Sequence, residues 1–138
     1  MPEFAGLFRP ESLQPFSTQE RCHIVELMNT PACAAVSLAD CIVAVGVTTQ
    51  LHHLTVAEHY VIEHGTGCME LAGDDAEHRQ VFDVAPGDCV LIPAGCAQRI
   101  RNTGAVELKF KCVCTPRFLP EHYVDLESDT TQDIEDIE

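Results

Sequence analysis

The sequence predicts an all-β fold, a barrel or two-layer sandwich, from three observations: short apolar or alternating runs, turn residues between them, and no sustained helical periodicity. The runs are Cys22 to Leu27, Ala34 to Leu38, Cys41 to Thr48, Glu58 to Glu63, Cys68 to Ala72, Gln80 to Val84, Asp88 to Ile92, Gln98 to Asn102 and Val106 to Cys114. All have the length of a strand. Gly65 and Gly67 flank one turn, and Gly73-Asp74-Asp75, Pro86-Gly87-Asp88 and Asn102-Thr103-Gly104 mark three more. A chain of 138 residues with 46% hydrophobic content supports one core. Only 6% of residues are aromatic and Trp is absent, so that core must come mainly from Val, Ile, Leu, Ala and Cys. The β-branched share of that mixture suits half-buried strands.

Three stretches follow from composition. Residues 1–21 carry Pro, Ser and Gln with scattered Phe, and read as an arm over the outside of the domain, with Phe4, Phe8 and Phe16 as anchors. Residues 22–124 hold the strands. Residues 125–138 are dense in acids and free of aromatics, as in a solvated, partly disordered tail. The formal net charge of −14 repels phosphate backbones and anionic lipid, which argues against nucleic acid and membrane as partners. No apolar run approaches the roughly 18 residues that span a bilayer, and the N-terminus has no basic start followed by an apolar stretch. The expected location is therefore the cytoplasm. There the 8 cysteines should stay reduced, and none has Cys-x-x-Cys or zinc-finger spacing. Cys22, Cys33, Cys41, Cys68, Cys89, Cys112 and Cys114 read as small apolar filler.

Two motifs carry chemistry. The stretch from Pro86 to Asn102, PGDCVLIPAGCAQRIRN, resembles the second cupin motif, G-x5-P-x-G-x2-H-x3-N, at every fixed position except that Gln98 stands for His. Upstream, Gly46 to Gly65, GVTTQLHHLTVAEHYVIEHG, resembles the first, G-x5-H-x-H-x3-4-E-x6-G, with Leu54 in place of the second His. The motifs and their spacer cover roughly two-fifths of the chain, and the pair is far more specific than either half. The resemblance implies a jelly-roll barrel of the cupin type. It also implies a divalent metal (Fe, Mn, Ni or Zn) inside the barrel, with His52, Glu58 and Gln98 in ligand positions. If the gap before Glu58 is counted as four, His53 takes the second His position and Leu51 the first. His52 is preferred because Gly46-x5-His52 and His52-x5-Glu58 then both keep the family spacing.

Strand parity supports an inward site without reference to the family. Gln98, Ile100 and Asn102 share one face and Arg99 and Arg101 the other, so the charged pair belongs in water and Gln98 points inward. Glu58, Tyr60 and Ile62 share a face in the same way. A carboxylate inside a barrel is costly unless paired or metal-bound. An amide oxygen is a weaker donor than imidazole, so metal affinity should fall below that of a full four-ligand cupin.

Two readings of the site stay open. In one, a metal-dependent oxygenase, isomerase or lyase uses His52, Glu58 and Gln98 to hold the ion, with Tyr60 or Cys96 as catalytic candidates. In the other, His52, Glu58 and Gln98 form a metal-free polar network in a non-catalytic cupin that binds a small molecule, a sugar or an organic acid. Whether the chain is an enzyme is not decided at this level. Cys96, beside Gln98, reads as a spare soft ligand, a redox-sensitive thiol or loop filler. The segment from Thr115 to Tyr123 resembles the closing segment of small cupins and should seal one barrel end. A homodimer paired through outer strands is also expected from the resemblance.

Overall fold

The structure, a computed structural model, describes residues 6–10, 16–17, 20–73 and 79–127. Eleven strands build it: β1 (Phe16–Ser17), β2 (His23–Met28), β3 (Ser37–Val43), β4 (His52–Leu54), β5 (Ala57–His64), β6 (Gly67–Ala72), β7 (Arg79–Val84), β8 (Cys89–Ile92), β9 (Ala97–Asn102), β10 (Leu108–Thr115) and β11 (Tyr123–Asp125). They form two antiparallel sheets, ordered β1-β2-β3-β10-β5-β8 and β11-β4-β9-β6-β7. The expected jelly roll is therefore present. Among the described residues, no helix is long and apolar enough to cross a membrane.

Alternation decides which side chains fill the space between the sheets. On β10, Leu108, Phe110, Cys112 and Cys114 are buried while the residues between them face outward. Val43, Tyr60, Ile62, Met69, Val90, Ile92 and Ile100 pack with Leu108, Phe110 and Cys112 into one core. The Tyr60 and Phe110 rings lie 4.3 Å apart, tilted by 31°. A smaller cluster at one end joins Leu54, Val56 and Cys114 to Phe118 and Tyr123 of the closing segment. That segment is tied down by Phe118 N–H donating to Ser37 Oγ at 2.9 Å and by Asn29 Nδ2 donating to the Phe118 carbonyl at 2.8 Å.

Some element boundaries differ from the sequence expectation. The runs Ala34 to Leu38 and Cys41 to Thr48 are not two strands: one strand, Ser37–Val43, crosses both, because Ala39 and Asp40 continue the pairing with β10 and β2. Val106 to Cys114 begins later, at Leu108, since Val106 accepts a hydrogen bond from Asn102 in the preceding turn. Three short strands are additions. β1 lies in the stretch read as an arm, β4 holds the two histidines, and β11 reaches into the stretch read as an acidic tail. Glu127, also from that stretch, takes both ends of the Arg21 guanidinium at 3.0 and 2.7 Å and accepts from Leu51 N–H at 2.6 Å. The remainder of the tail, 128–138, and Phe4 of the arm lie outside the described residues.

Candidate functional site

His52 faces the space between the sheets from β4, directly opposite Gln98 on β9, and is almost fully buried. Its Nδ1 sits 2.7 Å from the Gln50 carbonyl oxygen, which can only accept, so Nδ1 carries the proton and Nε2 the lone pair. The ring stacks on Tyr123 of β11, centroids 4.6 Å apart. Nε2 is 3.6 Å from Glu20 Oε1, an approach longer than a hydrogen bond.

Glu58 and Gln98 meet across the barrel. The Gln98 amide donates from Nε2 to Glu58 Oε1 at 3.0 Å, and its carbonyl oxygen accepts from the Tyr60 hydroxyl at 2.8 Å. Glu58 Oε2 is 3.8 Å from the Cys114 thiol. Gln98 is 0% exposed, so all of its hydrogen bonding must be met inside the protein. Asn102, the last fixed residue of the second motif, braces the turn that follows β9, donating to the Val43 and Val106 carbonyls and accepting from Gly104 N–H.

A cavity of about 220 Å³ opens beside this network. Its apolar wall includes Ile24, Leu38, Leu54, Phe110 and Phe118, and its polar groups include Glu20, His52, Glu58, Tyr60 and Tyr123. Cys22, Cys41, Cys112 and Cys114 also line it. No Lys or Arg is among the described residues that do so. Burial without a cation pushes the Glu20 and Glu58 carboxyls up to about 7; for Glu58 the hydrogen bond from Gln98 opposes that rise. Burial lowers His52, so at neutral pH the imidazole is uncharged. Burial likewise raises the Tyr60 hydroxyl well above its usual value.

The sequence-predicted residues are thus distributed unevenly. His52 and Glu58 line the cavity, and Gln98 stands behind it with its oxygen engaged by Tyr60. Leu54 lines the cavity with a side chain that coordinates nothing. His53, the alternative ligand, is only half-buried, on the opposite face of the three-residue strand β4 from His52 and Leu54. Cys96 lies apart, in a surface hollow with Leu71, Gly73, Gln80 and Leu91, and does not line the cavity.

Two contributions escaped sequence reasoning. Glu20 reaches the cavity from the end of the N-terminal arm, where no motif or strand period marks it. The cysteine wall draws on separate parts of the chain, Cys22, Cys41, Cys112 and Cys114, that no motif connects.

As a donor set for a metal, the three predicted residues are mismatched. His52 has the tautomer that a metal ligand requires. Gln98, however, spends its oxygen on Tyr60 and turns its amide nitrogen toward Glu58, and nitrogen of an amide is no ligand. Among the described residues, no three His, Cys, Asp or Glu side chains are drawn together as a metal-ligand group. The set His52, Glu58 and Gln98 in this arrangement does not fit a divalent ion.

No protein-family model matches the chain, and no curated protein matches it in sequence. Solved structures do match it in fold. Oxalate decarboxylase from Bacillus subtilis superposes with a TM-score of 0.79 at 15% identity, over 92% of this chain and 34% of that one. The capsular polysaccharide assembling protein CapF from Staphylococcus aureus gives 0.68 at 21% identity, over 78% of this chain and 32% of its own. Protein SO0799 from Shewanella oneidensis gives 0.75 at 11% identity, over 86% and 82%. The chain therefore spans about a third of the decarboxylase and of CapF, but most of the length of SO0799. Two packed antiparallel sheets and these superpositions agree on the fold: the chain has a cupin-type jelly-roll architecture.

Proposed function

We propose that this cupin binds a small uncharged molecule in its barrel cavity, without requiring a metal ion. The observation that carries the reading is the lining itself: three carboxyls (Glu20, Glu26 and Glu58), a neutral imidazole, two tyrosines and an apolar wall, with no Lys or Arg among the described residues. An anionic ligand would enter low-dielectric space with no countercharge and with three acids beside it. A neutral molecule with an apolar body and one or two hydrogen-bonding groups meets no such penalty. Glu20 and Glu58, protonated up to about pH 7, can donate to it as well as accept. Of the two ligand classes expected from sequence, a sugar or another neutral molecule suits this lining and an ionised organic acid does not.

A divalent ion is the second reading, favoured by one feature: His52 presents an unprotonated Nε2 to a cavity that Glu20 and Glu58 also line. Oxygenase, isomerase or lyase activity belongs to that reading alone. Under either, the acidic chain stays apart from nucleic acid and lipid and works in the cytoplasm as a homodimer.

Three probes of similar size separate the alternatives: benzamide is neutral, benzoate anionic and benzylamine cationic. Chelator-treated protein titrated with each at about pH 6, where Glu20 and Glu58 are protonated, should bind benzamide saturably and benzoate at least about tenfold more weakly. Equal or tighter binding of benzoate or benzylamine contradicts the proposal. So does benzamide binding that appears only after Mn²⁺ or Zn²⁺ is restored.

A further inference from the structure

Four of the cysteines cluster on one wall of the cavity, and two of them touch. Cys41 on β3 and Cys112 on β10 are both buried and free, with their sulfurs 2.7 Å apart although 71 residues separate them in the chain. The strands are adjacent and antiparallel, with Cys41 opposite Phe110 and Cys112 opposite Ala39, so the two thiols form a diagonal pair on the inward face. Cys22, which precedes β2, hydrogen-bonds to Cys41 from the other side. Glu58 lies against Cys112 and Cys114.

We propose that Cys41 and Cys112 form a reversible disulfide across β3 and β10 when the protein meets a peroxide. A disulfide needs sulfurs about 2.05 Å apart, so closing the bond from the present geometry takes a shift of less than about 1 Å. The reaction is balanced by the oxidant. Peroxide converts one thiol to a sulfenic acid and releases water; the second thiol attacks that sulfur, forms the S–S bond and releases a second water. Two electrons pass from the sulfurs to the O–O bond. Above about pH 7, where Glu58 is ionised, its carboxylate stands beside Cys112 to take the thiol proton as the first sulfur reacts.

The surroundings favour this outcome over capture of a soft metal. Three thiolates on an ion would leave net negative charge in a cavity with no cationic side chain among the described lining residues. Burial holds the Cys112 thiol far above its usual range and Cys41 is raised through its bond to Cys112, which disfavours a cluster of thiolates on a metal and also makes the first attack on peroxide slow. A disulfide removes two protons and leaves no charge. Reopening the bond takes two electrons from an added dithiol, which ends as the disulfide itself. Both sulfurs line the cavity, so oxidation changes the surface presented to whatever molecule it holds. The disulfide would form whatever the identity of that molecule.

The test uses the full chain. Brief alkylation of the native protein blocks exposed thiols, among them Cys89; hydrogen peroxide is then added and quenched, and the unfolded protein is treated with a second alkylating label. Peptide mapping without reductant should show a peptide joining Cys41 to Cys112, lighter than the two thiol peptides by two hydrogens. Dithiothreitol before the second label should return both thiols. In a Cys41→Ala variant, Cys112 should be recovered without a partner. Recovery of wild-type Cys41 and Cys112 as labelled thiols after peroxide overturns the inference. A Cys22 to Cys41 cross-link in the wild type overturns it as well, and neither wild-type result depends on how the variant folds.

Discussion

Glu58 folds at a cost, because its carboxyl leaves water for a place with one amide and two thiols as neighbours. Its acidity falls accordingly, from the ordinary 4.5 to about 7. The sign of the resulting pH dependence follows from which state holds the proton more tightly. Here it is the folded state, so the contribution to stability is whole below about pH 4.5 and is lost as pH rises through about 7. His52, lowered by burial, works in the other direction, its penalty growing as pH falls. Replacing Glu58 alone separates the two. Glu58→Gln keeps an oxygen for the Gln98 amide and removes the ionisation. Urea unfolding at about pH 5 and pH 8 should show the wild type losing on the order of 3 kcal/mol relative to the variant between those values. Parallel behaviour of the two proteins would contradict the placement of an ionisable Glu58 in the core. The inward direction of Glu58 and Gln98 was legible in the sequence because period-two alternation set charged Arg99 and Arg101 opposite Gln98. Glu20 was not legible, since its role depends on the arm folding across β4, where Gln50 N–H donates to the Glu20 carbonyl at 2.8 Å.

At the scale of elements, the motifs are legible for a backbone reason. Gly46, Gly65, Gly87 and Gly95, the fixed glycines of the two motifs, all hold positive φ. They turn the chain between strands in a conformation that other residues enter at a cost of roughly 1–2 kcal/mol. Gly65 carries a second constraint, because an added Cβ would stand 2.5 Å from the Glu107 carbonyl oxygen; at Gly46 the same atom would meet nothing within 4 Å. Gly46→Ala should therefore cost about 1 kcal/mol and Gly65→Ala at least about twice that, in denaturant unfolding of each variant. Equal losses would show that backbone angle alone sets both sites. What the sequence did not disclose were the short strands. β4 is three residues long, and Leu51-His52-His53-Leu54 has too little alternation to announce a strand. It exists because β9 lies on one side and β11 on the other, and both pairings are made between distant segments. The cysteine wall escaped for the same reason: Cys41 and Cys112 are neighbours only once β3 and β10 pair.

Over the whole molecule, the barrel has the jelly-roll architecture of the cupin fold, with a polar network built into its interior. Gln98 is built into a chain of hydrogen bonds that runs from Tyr60 to Glu58. Such a network holds the two sheets in register from within, since β5 and β9 belong to different sheets. Arg21 and Glu127 fasten the two ends of the described chain outside it, and Arg21 Nε donates to the Thr48 carbonyl at 2.9 Å. The cavity thus has a fixed frame and a lining without positive charge among the described residues, and its occupant should be neutral and small. A crystal of chelator-treated protein soaked in benzamide gives the most direct view of this. The amide should lie between the sheets within hydrogen-bonding distance of Glu20 or Glu58, with its ring against Phe110 or Phe118. Benzamide found only in the surface hollow beside Cys96, with the interior holding no part of it, would contradict the account.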